Sequence, residues 1–398
     1  MPDFLHGVEV ITLDDGPRPI QTVRSAVIGV VGTAPDADSE EFPYNAPVLI
    51  QGGRRKAAKL DTEGDKKGTL PKALDGILDQ TGALVVVIRV EEDEDEDTTR
   101  SNVIGGVDAA TGDYTGVHAL RAAQTDLGYT PRILCAPGHT HQRPEDGGDP
   151  AANPVVSEMQ SVADKLRAVI IADGPGEGES AAIDYRDDWG SRRIFIVDPH
   201  VKVERDGDIV TEPASARVAG MIARQDSERG FWWSPSNTIM NGIVGTSKPV
   251  DFMLGDPNSK ANLLNENDIA TIIRENGFRL WGNRTTSEDS KWAFLNVVRT
   301  ADMLNDSVLR NHLWAVDRNI TSGFVDSVLE GVNAYMRELQ GLGAILGGRA
   351  WADPEMNTKE VLQSGQLYID FEFTPPAPAE RISFRSRLTN EFFADVVE

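Results

Sequence analysis

Cysteine is nearly absent from this chain. Cys135 is the single one in 398 residues, so no disulfide can form within the molecule. It lies in the apolar run ILCA, residues 133–136, and reads as buried core rather than as a nucleophile. A reducing compartment is therefore expected at synthesis. Histidine is scarce as well, at six residues, which leaves little material for a nucleophile–base pair. Cations are outnumbered: 39 Lys and Arg stand against 63 Asp and Glu, a net charge of -24. Such a surface repels phosphate backbones and anionic lipid heads, which argues against nucleic acid and membrane as partners. No apolar run approaches the roughly 18 residues of a membrane-spanning helix. The opening MPDFLHG has neither a basic n-region nor an apolar h-region, so no signal peptide is expected. A product acting outside the cell would then leave by lysis.

The motifs of small-molecule chemistry are also missing. Residues 173–178 (DGPGEG) follow an expected strand, where phosphate loops are found. They match neither GxxxxGK[ST] nor GxGxxG, and Asp173, Pro175 and Glu177 would oppose a phosphate. No GxSxG supports a Ser-His-Asp arrangement. His139 and His141 would share one face of a strand and could hold a metal between them. Only Glu145 and Asp146 lie close enough in sequence to add a ligand, so both histidines read as loop residues. No cofactor and no metal are expected. The acidic run at 91–97 (EEDEDED) lacks the spaced carboxylates and Gly turn of a calcium loop, and reads as a solvated, outward-facing segment.

What is present is a large core and a regular alternation of elements. Hydrophobic residues make up 40% of the chain, and its length suits two domains. Strands are expected at 8–13, 23–31, 83–90, 131–136, 168–172 and 193–197. Helices are expected at 69–81, 154–166, 181–189 and 214–229. This alternation predicts an α/β fold with a mainly parallel sheet. The last third reads as more helical, with helices at 267–276, 292–316 and 322–340. In the third of these Phe324, Val328, Val332, Tyr335, Met336 and Leu339 form one stripe. Ser322 is its expected cap. Phe231, Trp232 and Trp233 read as core at a domain junction. Strands follow at 365–373 and 381–389, split by TPPAPA.

The two ends carry the sharpest pattern. Between positions 381 and 388, Ile382, Phe384 and Leu388 alternate with Arg381, Ser383, Arg385 and Arg387, with Ser386 between the last two arginines. A basic strand is unexpected in so acidic a chain. The N-terminal strand Val8, Glu9, Val10, Ile11, Thr12, Leu13 is followed by Asp14 and Asp15. Opposite charges on paired strands stabilise by about 0.2–1 kcal/mol per pair. The two ends could pair within one molecule, or add to the sheets of neighbours.

Long stretches of the chain resemble the tail sheath proteins of contractile phage tails and R-type pyocins. They include NVIGGVDAATGDYTGVHAL (102–120), PRILCAPGHTHQ (131–142), GSRRIFIVDPHVKV (190–203), EPASARVAGMIARQDSERGFWWSPSN (212–237), FRLWGNRT, TADMLNDS and GAILGGRAWADPEMNT (343–358). The resemblance implies an outer α/β domain at about 26–252, inserted in an inner α+β domain made from about 1–25 and 253–398. It implies stacked hexameric rings around an inner tube, with a baseplate and a tail terminator as further partners. The product would be made in the bacterial cytoplasm and end in a tail or bacteriocin particle. It also implies that Val8 to Leu13 and Arg381 to Leu388 exchange between subunits. An inner-domain helix should touch the tube, with Arg310, Arg318 and Arg337 as candidate contacts. A small-molecule α/β enzyme and an envelope-binding tail component are the competing readings. The first lacks a triad, metal set or phosphate loop; the second lacks β-repeats or a coiled-coil stem.

Overall fold

The computed structural model describes residues 19–390. The expected strand at 8–13 lies outside them. The chain begins with β1 (Val27–Thr33), β2 (Val48–Gln51), α1 (Leu70–Leu78) and β3 (Leu84–Val90). Next come α2 (Glu96–Ile104), β4 (Ile133–Cys135), α3 (Pro154–Leu166), β5 (Val169–Asp173), α4 (Glu179–Arg186) and β6 (Ile194–Val197). The hairpin β7 (Val201–Arg205) and β8 (Asp208–Glu212) leads to α5 (Ser215–Glu228) and α6 (Lys260–Glu266). Then follow β9 (Ile269–Arg274), β10 (Phe278–Trp281), α7 (Leu295–Asn311), α8 (Ser322–Gly341), β11 (Gly347–Trp351), α9 (Lys359–Gln363) and β12 (Asp370–Thr374).

One eight-stranded sheet dominates, in the order β10-β9-β6-β5-β4-β1-β3-β2. Its six inner strands run parallel, and β2 and β10 close the edges antiparallel. Both faces are covered, which is why the inner strands read as near-continuous apolar runs. Alternate residues face opposite ways: Ile28, Val30, Val85 and Val87 join the core under α1 and α5, whereas Val27, Val31, Val86 and Ile88 join the core under α3. The strand β3 carries one buried cation, Arg89. Its guanidinium donates to the carbonyls of Ala34 (2.8 Å), Phe42 (3.1 Å) and Pro35 (3.1 Å), so it needs no acid. Helix α3 starts where Asn153 accepts from the Val156 N–H, with Pro154 at its first position.

A third core lies beyond the sheet, where Met303 and Leu304 of α7 meet Val332, Tyr335, Met336 and Leu339 of α8. Ile20, Phe231, Ala344, Ile345 and Ala350 complete it. Helix α7 is thus a shared wall, because its Leu295 and Val298 belong to the sheet's own core.

Four expectations are corrected. Residues 267–276 were expected as a helix, but Ile269–Arg274 is a strand parallel to β6. The helix lies just upstream, at Lys260–Glu266, capped by Ser259. The run IATII is short and apolar, and such runs do not distinguish a buried strand from a buried helix turn. The sheet consequently continues past residue 252, through Trp281. The acidic run is only partly a loop: Asp95 accepts from the Thr98 N–H at 3.1 Å, and Glu96 and Asp97 occupy the first turn of α2. There they complement the helix dipole. Thr321, not Ser322, caps α8 by accepting from the Phe324 N–H. Finally, residues 381–389 form no strand within the single chain.

Candidate assembly surfaces

The hairpin β11–β12 sits on α8. Phe371 and Phe373 of β12 pack against the third core, while Asp370, Glu372 and Thr374 alternate with them. The two strands pair antiparallel from Gly347↔Thr374 to Trp351↔Asp370, and Arg349 Nε donates to Glu372 Oε1 at 2.7 Å across them. The outer side of β11 is occupied at its middle. Asn333 of α8 donates to the Ala350 carbonyl (3.1 Å) and accepts from the Ala350 N–H (2.8 Å). The only sheet neighbour of β12 among the described residues is β11, so its other edge is an unpaired strand edge.

The C-terminal segment leaves β12 through Pro375 and Pro376 and becomes wholly exposed from Arg381 onward. Ile382 is 69% exposed, Phe384 93% and Leu388 104%. Three large apolar side chains in water on one short segment call for a partner, since each forgoes about 1.5–3 kcal/mol of burial. Among the described residues nothing covers these three side chains.

The three arginines expected at a tube differ in their surroundings. Arg310 is committed within the chain: its guanidinium donates to Asp306 (2.7 Å), Gln124 (3.0 Å) and Thr130 (2.8 Å). Arg337 pairs with Glu330 at 2.6 Å on the exposed face of α8. Arg318 is exposed, just beyond Leu309, Leu313 and Val316, which are 61%, 77% and 63% exposed. Leu313 and Val316 lie beyond Asn311, the last residue of α7, where no helical stripe carries them into a core.

Buried charge gathers on α7, and the sequence did not single it out. Arg299 forks onto Asp226 of α5 at 2.6 and 2.7 Å. Asp302 accepts from Arg193, just ahead of β6, and Asp306 accepts from Arg132, just ahead of β4. All six side chains are at most 7% exposed. Positions 299, 302 and 306 share one helix face, so the pairs fasten α7 to α5 and to the starts of two sheet strands.

The other candidate sites resolve into structure. His139 is half-buried and lies 3.4 Å from the Thr69 hydroxyl. Burial drives its pKa down to about 4. His141 packs edge-on against His200, with ring centroids 5.1 Å apart. Among the described residues no three His, Cys, Asp or Glu side chains gather as a metal site. The loop 173–178 is tied down by Asp198, whose carboxylate accepts from the Gly176 N–H at 2.7 Å, and by His200 Nε2 against the Gly174 carbonyl at 3.1 Å. Burial raises the Asp198 pKa to about 6. Burial also pushes the Cys135 thiol up, which leaves it inert.

Asp198 and His139 act in opposite directions on stability. The folded state prefers protonated Asp198, so its contribution is full below pH 3.8 and is lost as pH rises through about 6. The folded state prefers neutral His139, so stability falls as pH drops from 6.5 toward about 4. Asp198→Asn keeps an acceptor for Gly176 and removes the buried charge. It is expected to raise unfolding free energy at pH 7.5 by up to about 3 kcal/mol, with the gain vanishing near pH 4. Urea unfolding at the two pH values checks this.

Comparison with known proteins agrees with this architecture. Three family descriptions match successive parts of the chain. Residues 25–90 match the tail sheath protein Gp18 domain III N-terminal region, 112–286 the phage tail sheath protein central domain, and 287–389 the phage tail sheath C-terminal domain. A putative prophage major tail sheath protein of Pseudomonas aeruginosa (strain UCBPP-PA14) is 42% identical, with 99% of each chain covered. The tail sheath protein of Escherichia phage P2 is 38% identical, over 100% of this chain and 98% of its own. The helical sheath of the anti-feeding prophage in its contracted state shares the fold with a TM-score of 0.71 at 19% identity, covering 97% of this chain and all of the other. The PVC sheath complex of an extracellular contractile injection system in its contracted state gives 0.69 at 16%, covering 98% and 99%. The chain belongs to the phage tail sheath family.

Proposed function

We propose that the chain polymerises as stacked hexameric rings around an inner tube and contracts to drive that tube through a target cell envelope. The observation that carries this is the C-terminal arm, with its exposed alternating apolar side chains and its arginines in a chain of net charge -24. Main-chain hydrogen bonds between strands of neighbouring copies would hold subunits together while their packing changes. The unpaired edge of β12 suits the arm. Its Phe371 and Phe373 face the third core and its Asp370 and Glu372 alternate with them. An added arm would place Ile382 and Phe384 beside the phenylalanines and Arg381, Ser383, Arg385 and Arg387 beside the acids. Val8 to Leu13 would add from another copy.

The role is structural rather than enzymatic. Work comes from the free-energy difference between two packings of one sequence, not from a nucleotide. The inner unit, carrying α8 and the hairpin, faces the tube; the sheet-bearing unit faces out. Arg318 and Arg337 serve as tube contacts, with the apolar ridge of Leu309, Leu313 and Val316 beside Arg318. Arg310 is tied to Asp306 and so supports α7 instead. Baseplate and terminator bound the polymer, and the particle is released from its bacterial host by lysis.

Cysteine cross-linking tests the arm. Cys135 is buried, so new thiols report cleanly. Glu372→Cys combined in turn with Phe384→Cys, Arg385→Cys or Ser386→Cys is expected to give a ladder of disulfide-linked chains in assembled protein for one register. The dilute monomer should give none. Cross-links confined to single chains in the polymer would contradict strand exchange.

A further inference from the structure

The root of the arm is pinned to its own subunit. The segment from Pro375 to Ala379 (PPAPA) is stiff, because three of its five residues are proline. Asn296, buried on α7, donates to the Pro376 carbonyl at 3.3 Å. Four residues on, Glu380 is gripped by a two-pronged guanidinium: Arg284 Nε reaches Oε1 at 2.7 Å and a terminal nitrogen reaches Oε2 at 2.6 Å. Arg284 is itself held, with its guanidinium 5.3 Å from the Phe294 ring centroid and 3.8 Å from Asp268. Burial stops at this point. Pro375, Pro376 and Pro378 are half-buried, whereas every residue from Ala379 to Asn390 is exposed.

We infer that the Arg284–Glu380 fork is the anchor that fixes where, and in what direction, the exchanging arm leaves the subunit. This rests on the reading of residues 381–388 as a strand shared between copies. With the fork closed, eight residues span about 26 Å at strand rise, which sets a short reach for the link. With it open, residues 377–380 add slack to every link, since Pro376 remains held by Asn296. A longer, undirected tether lowers the effective concentration of the arm at its acceptor. The fork is bidentate yet solvent-accessible, so its part in folding is small and its part in aiming the arm is separable from stability.

Two variants test the inference. Glu380→Ala is expected to fold as the parent does, with a melting temperature within about 2 °C. Its critical concentration for polymerisation should rise roughly two- to five-fold. Insertion of Gly-Ser-Gly-Ser between Glu380 and Arg381 leaves the fork intact but adds the same slack, and should give a similar rise. A Glu380→Ala chain that polymerises at the parent's critical concentration overturns the anchor. If removal of residues 381–398 also leaves polymerisation unchanged, the strand-exchange reading fails instead. If that truncation abolishes assembly while Glu380→Ala is silent, only the anchor fails.

Discussion

Removal of residues 381–398 is expected to yield a folded monomer that no longer polymerises. The fold does not depend on the segment, because among its described residues no element forms and every side chain is exposed. None of its described residues joins the three cores. Circular dichroism and urea unfolding should therefore match the full chain. Assembly is a different matter. In the proposed exchange each link would carry several main-chain hydrogen bonds and the burial of Ile382, Phe384 and Leu388, each worth about 1.5–3 kcal/mol when fully covered. Losing some 5 kcal/mol per contact shifts the association constant by more than a thousand-fold. Sedimentation at concentrations where the full chain forms polymer should show only monomer. Polymer of normal length from the truncated chain would remove the arm from the account.

The second large effect lies in the buried charges of α7. Asp306→Ala is expected to cost about 3–5 kcal/mol in unfolding free energy. Asp306 accepts from Arg132 and Arg310 and lies 3.8 Å from Arg167. Its loss strands Arg132, a guanidinium 2% exposed whose remaining bond goes to the Leu166 carbonyl. Burial already pulls the Arg132 pKa down. Replacing both partners by apolar residues, Arg132→Met with Asp306→Leu, should recover most of the loss, because the cost arises from an uncompensated charge. Urea denaturation of the two single variants and the double one measures the coupling. Additive effects would show that the pair does not act as a unit. Through these pairs α7, which also lines the core of α8, is fastened to the sheet's strands by side chains that cannot separate cheaply.

Much of this architecture can be read from local chemistry. Helix α3 is expected at 154–166 and found at Pro154–Leu166, and α8 is marked by its apolar stripe from Phe324 to Leu339. Five of the six inner strands showed themselves as apolar, β-branched-rich runs of five to nine residues. The strand Ile269–Arg274 escaped because its five apolar or β-branched positions carry no period. The pairing of α7 with Arg132, Arg193 and Asp226 escaped for another reason. Its partners are separated by 73 to 174 residues, and no local pattern joins an arginine before a strand to an aspartate on a distant helix. The arm was legible as an alternation of Ile382, Phe384 and Leu388 with arginines. That it pairs with no strand among the described residues was not, because alternation specifies a strand and leaves open which sheet receives it.

Negative-stain electron microscopy of the purified protein at high concentration, alone and co-expressed with the tube protein of the same tail, tests the central claim most directly. The account predicts hollow tubes or stacked rings with six-fold symmetry. Uniform small particles under both conditions would contradict it.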